Sequence, residues 1–181
     1  VFTDWVRREG YEHCFAWNKI YRADLFMFVR YPEGEVFEDT LVTPMLIESS
    51  NTVYYSDAGF YYYYDNEGSI CNRHSFDSYF YLYRNLVTLQ EKCAAIQGLE
   101  EKADRILLRC IDNLVDLCRC SDCNSTKLNS ALELVKGRKI DIATLYKSDL
   151  SIRQKIKYTP FALFGASFHC RLLAMFRKKL H

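Results

Sequence analysis

The residues predict an α/β chain of the α+β kind, rich in helix, and three features carry that prediction. Two aromatic, β-prone runs, Thr52-Val53-Tyr54-Tyr55 and Phe60 to Tyr64, flank the turn-forming Ser56-Asp57-Ala58-Gly59. After residue 70 the texture becomes helical, clearest where Ile106, Leu107, Cys110, Ile111, Leu114, Val115 and Leu117 fall on one broad face. Hydrophobic residues make up 49% and charged residues 26% of 181, enough to bury a core and too apolar for a disordered chain.

In chain order, Thr3 is placed to cap a short helix through Arg8 that Gly10 stops. His13 to Arg22 interleaves aromatics and charges and reads as an extended piece entering a loop. Ala23 to Phe28 suits one or two helical turns. Pro32 and Gly34 then enforce a turn. Glu38 to about Ser49 fits a helix, with Pro44 marking a kink or a late start. Helices follow over Phe76 to Ile96, Glu100 to Cys118 and Leu128 to Val135. Two short segments, Ile140 to Tyr146 and Leu150 to Lys157, precede a terminal segment from Pro160 to His181.

A net charge of +1 argues against a general nucleic-acid binder. The eight Cys are scattered over helical segments with no signal peptide, which points to free thiols in a reducing cytoplasm. No apolar run is long enough to span a bilayer. The chain opens mid-pattern at Val1, which suggests a piece of a longer protein.

The acids Glu38 and Asp39 follow the turn and begin an apolar helix. Adjacent carboxylates on a helix diverge, so they cannot oppose one another across a single bond. One can face a pocket while the other holds an amide; simple helix capping is the competing reading.

The ordered series Ala16-Trp17-Asn18-Lys19-Ile20-Tyr21-Arg22, Leu25-Phe26, Tyr31-Pro32-Glu33-Gly34, Phe37-Glu38-Asp39, Val53-Tyr54, Tyr61-Tyr62-Tyr63 and Glu67-Gly68-Ser69-Ile70 resembles the C-terminal half of the catalytic domain of inverting family 2 glycosyltransferases, of the type found in bacterial polysaccharide biosynthesis. The resemblance implies a GT-A fold. Residues 1–70 would be the acceptor-side part of that domain, and residues 71–181 a helical C-terminal region. It also implies transfer of a sugar from a nucleotide-sugar donor to a saccharide or lipid-linked saccharide acceptor. Asp39 would be the catalytic base and Glu38 its neighbour at the site. Trp17, Asn18 and Lys19 would bind substrate: a ring for a sugar face, an amide for a hydroxyl, and a cation, Lys19 or Arg22 in its place, for the diphosphate. The competing reading makes Trp17 a core residue and the cations solvated. In a single inverting displacement a carboxylate takes the acceptor hydroxyl proton as the new bond forms. A divalent metal, Mg or Mn, balances the leaving diphosphate in the family.

The sequence departs from the family in three ways. It contains no Asp-x-Asp metal motif, it has no nucleotide-binding half before His13, and Tyr64-Asp65 stands where many relatives have an Arg. The chain alone is therefore expected to be inactive. The rival reading is a non-catalytic helical interaction or membrane-tethering module of glycosyltransferase ancestry.

Two features lie outside the matched stretch. Cys110, Cys118, Cys120 and Cys123 offer zinc four thiolates, although only Cys120 and Cys123 form a Cys-x-x-Cys pair. Phe161, Phe164, Phe168, Leu172, Met175 and Phe176 fall at helical spacing before the basic Arg177, Lys178 and Lys179. That pattern suits a helix over 160–181 lying on the inner face of the cytoplasmic membrane. A helix docked on the body with a solvated basic tail fits it equally.

Overall fold

The computed structural model describes residues 1–56, 58, 59, 61, 62, 64 and 75–177, of which 174–177 by backbone alone. It is helical throughout: α1 (Phe2–Arg7), α2 (Asp39–Glu48), α3 (Phe76–Ala94), α4 (Glu100–Leu117), α5 (Ser125–Leu134), α6 (Ile142–Lys147) and α7 (Ile152–Arg177), with 3-10 turns at Gly10–His13, Ala16–Asn18 and Ala23–Met27. No strand occurs among the described residues, which overturns the α/β expectation and the GT-A half-domain drawn from it. The physical reason lies in residues 52–55. A strand needs a neighbour to receive its backbone hydrogen bonds, and among the described residues these have none. Tyr54 and Tyr55 lie exposed instead. Phe60 and Tyr63 of the second run lie outside the described residues, as do Asp65, Glu67 to Ile70, Arg73 and His74.

The hairpin of α3 and α4 is the spine of the molecule. Ser75 caps α3 by accepting the amide of Ser78, and Gly98, at φ +83°, turns the chain toward α4 in a conformation that an L side chain resists. Leu86, Leu89 and Cys93 of α3 meet Ala103, Ile106, Cys110 and Leu114 of α4 in one continuous core. Each side chain shields its neighbours' apolar surface from water, which is the main force holding the pair together. The Tyr83 hydroxyl donates 2.7 Å to the Ala131 carbonyl and ties α5 to this spine.

The first turn corrects another expectation. Helix α1 starts at Phe2 with Val1 at its cap, so Thr3 lies inside the helix rather than capping it. Residues 10–18 form compact 3-10 turns, not an extended piece. The short segments 150–157 and 160–181 merge into a single α7 that runs through Pro160. It breaks at Gly165 (φ +82°, ψ 177°).

Past that break α7 carries a buried oddity. His169 is fully buried between the rings of Tyr158 and Phe161, and among the described residues neither ring nitrogen has a hydrogen-bond partner. Burial pushes its pKa below the ordinary 6.5, helped by Lys157 and opposed by Asp112. The folded chain therefore resists a proton that the unfolded chain accepts. Stability from this residue is present above 6.5 and is lost as pH falls toward the lowered value. His169→Leu is expected to flatten the acid side of a thermal-unfolding profile and to raise the melting temperature at mildly acidic pH. An unchanged profile rejects this account.

Candidate functional site

The acid pair sits where the turn predicts it, at the start of α2. Phe37 takes a positive φ of 58° and reverses the chain, so that Glu38 becomes the cap residue and Asp39 the first residue of the helix. Two residues of α3 hold that turn. Asn85 donates 3.1 Å to the Phe37 carbonyl, and Arg84 pairs with Glu35 at 2.5 Å. Sequence reading missed both. A polar residue, Asn85, set within the apolar face of α3 was the available signal.

The Asp39 carboxylate is half-buried, and the backbone N–H groups of Ala16 and Thr40 and the Thr40 hydroxyl favour its charged form. The turn Ala16–Asn18 thus lies beside the N-terminus of α2. Burial raises the carboxyl above its ordinary 3.8, while those amides and the charge of Lys19 pull it back without prevailing. A carboxylate so raised is the stronger proton acceptor.

Lys19 is half-buried as well, and desolvation lowers its pKa against the opposing pull of Cys14 and Asp39. Its ammonium donates to the carbonyls of His13 and Phe15, the latter at 3.0 Å, and to Asn18 Oδ1 at 2.6 Å. An ammonium has three N–H groups, and all three are engaged inside this loop. Lys19 clips the turn closed and orients the Asn18 amide.

Trp17 stands apart from the core. Its side chain is 45% exposed, whereas Trp5 is only 3% exposed. Phe15 stacks on it at 5.4 Å and Tyr61 at 4.4 Å between ring centroids, giving a three-ring apron beside the Asp39 loop. Behind the loop, Thr43 donates 2.7 Å to the Cys14 carbonyl and meets the Tyr21 hydroxyl at 3.3 Å. Burial pushes the Tyr31 phenol and the Cys14 thiol each up to about 12, so both stay neutral and act as packing. Arg22 instead turns outward to Asp24.

Asp39, Asn18 and Lys19 thus share one loop-and-helix junction, with Trp17 on its exposed side. Glu38 is adjacent in the chain and is not among the groups that perturb Asp39 most.

The cysteines do not converge. Cys110 is fully buried in α4, and burial pushes its thiol up to about 12. Cys118 turns toward Cys170 of α7 instead, which lowers its pKa. Among the described residues no three His, Cys, Asp or Glu side chains gather closely enough to hold a metal ion. With no Asp-x-Asp in the sequence, the residues at hand do not fit the divalent metal of the family, and no step is derived through one.

A scan against protein-family models finds no match, and neither the curated proteins nor the solved structures yield a significant one.

Proposed function

We propose that this chain carries the acceptor side of an inverting sugar transfer, from a nucleotide-sugar donor to a saccharide or lipid-linked saccharide acceptor, with Asp39 as the base. The observation that supports it most is the exposed Trp17, stacked with Phe15 and Tyr61 in the turn beside Asp39, an acid whose burial raises its pKa. An acceptor sugar stacked on Trp17 presents its hydroxyl to the carboxylate. The proton passes to Asp39 as the hydroxyl oxygen bonds to the anomeric carbon and the nucleoside diphosphate leaves from the opposite face. Asn18, fixed by Lys19, offers its amide N–H to a second hydroxyl.

The test is a transfer assay on the protein that bears this chain, with nucleotide-sugar donors and oligosaccharide acceptors. The product is expected to carry the anomeric configuration opposite to the donor's. Trp17→Ala is expected to raise the acceptor KM about tenfold, the loss of about 1.4 kcal/mol of stacking, with the donor KM unchanged. Retained configuration, or no transfer from any donor, rejects the reading.

A further inference from the structure

Helix α7 shows an apolar stripe on the side it turns away from the body. Tyr158 and Phe161 face inward, both buried. On the opposite side Ile152, Ile156 and Leu163 are 77%, 63% and 56% exposed, at positions i, i+4 and i+11 of one helical face. Phe164 and Phe168, their rings tilted against each other with centroids 4.7 Å apart, widen that surface toward the Gly165 break. Tyr146 of α6 adjoins it, its hydroxyl 3.0 Å from that of Thr159. This is more contiguous apolar surface than scattered exposed residues present.

Charge says what such a surface meets. Residues 150–181 hold seven Lys and Arg and no Asp or Glu, whereas the whole chain holds 24 and 23. The preceding residues are left with 17 against 23, a net charge of −6, while the last segment carries +7. Arg153 and Arg171 flank the stripe, exposed and without an ion-pair partner among the described residues. The acids of the body are largely engaged inside it: Glu9 with Lys102, Glu12 with Arg109, Glu35 with Arg84, Glu48 with Lys92. No helix among the described residues is long and apolar enough to cross a membrane.

We infer that the outward face of α7 is a docking surface for an anionic lipid bilayer, lying in the plane of the interface with Ile152, Ile156 and Leu163 immersed among the acyl chains and Arg153 and Arg171 at the headgroups. An apolar stripe bordered by cations on a helix that holds no acid satisfies both halves of an anionic interface at once. This inference stands apart from the sugar-transfer reading, since none of its residues touches the Asp39 junction. It also moves the contact face: the inward Phe161 takes no part, and the stripe begins at Ile152.

The experiment is co-sedimentation of this chain with phosphatidylcholine vesicles, with and without phosphatidylglycerol. Binding is expected to require phosphatidylglycerol and to weaken as salt is added. Ile156→Glu with Leu163→Glu is expected to weaken it by at least about tenfold. Both positions are exposed, so circular dichroism is expected to show an unchanged fold. A folded double variant that binds as the parent does overturns the inference. So does absence of vesicle binding, equal binding to vesicles lacking phosphatidylglycerol, or a wild-type dimer that the double variant dissociates.

Discussion

Asp39→Asn is expected to lower turnover about 10²- to 10⁴-fold in the protein that bears this chain, with both KM values nearly unchanged. The asparagine oxygen can still face the Ala16 and Thr40 amides, so the junction keeps its shape, but it cannot take up the acceptor proton. Stability supplies a second readout that separates catalysis from capping. The folded-state pKa of Asp39 is raised, chiefly by burial. Folding therefore favours its protonated form. The sign follows: this residue adds relative stability at pH below its ordinary 3.8, and that stability is lost as pH rises through the raised value. At neutral pH the ionised acid opposes folding, and the amide is expected to raise the melting temperature while it abolishes turnover. A carboxylate kept only as a helix cap predicts the reverse, a fall in melting temperature. Slow turnover with a higher melting temperature is the pattern of a site that holds its charge against its own stability. Near-normal turnover removes Asp39 from the role.

What was legible in the sequence follows from where each element draws its stability. Helix α4 was readable almost to the residue because its apolar face repeats with the helical period and packs chiefly against α3. The start of α2 was readable because a turn and two acids mark a helix N-terminus whatever it packs against. The residues Trp17, Asn18 and Lys19 were readable as a group, but not in their roles. That Lys19 folds back on the carbonyls of His13 and Phe15 depends on the 3-10 turns, which no period announces. The tyrosine-rich runs misled for the opposite reason. β propensity describes fitness for a pleated, half-covered surface, and the described chain provides no sheet for residues 52–55 to join. Asn85 and Arg84 act across a long sequence separation, so their hold on the Phe37 turn was beyond any local pattern.

Phe161→Ala is expected to cost about 3–5 kcal/mol of stability, the range for emptying an aromatic ring's place in a closed core, whereas Phe164→Ala is expected to fall within about 0.5 kcal/mol of the parent. The two share one stripe by spacing, yet Phe161 is 0% and Phe164 64% exposed. Phe161 lies on the side of Tyr158 and Phe164 on the outward side. The helix is interrupted at Gly165 (φ +82°), and beyond it Phe168 lies exposed while His169 and Cys170 are buried. Removing the Phe161 ring opens a void against the Tyr158 and His169 rings, where the 2.7 Å hydrogen bond from Tyr158 to Asp112 and the 2.6 Å pair of Lys157 with Asp112 anchor α7 to α4. Chemical denaturation of the two variants side by side checks the difference. Equal losses would mean that both rings face the body and that no apolar face of α7 is free to meet a membrane. A large loss at Phe161 alone leaves Phe164 outside, where only a partner surface can cover it.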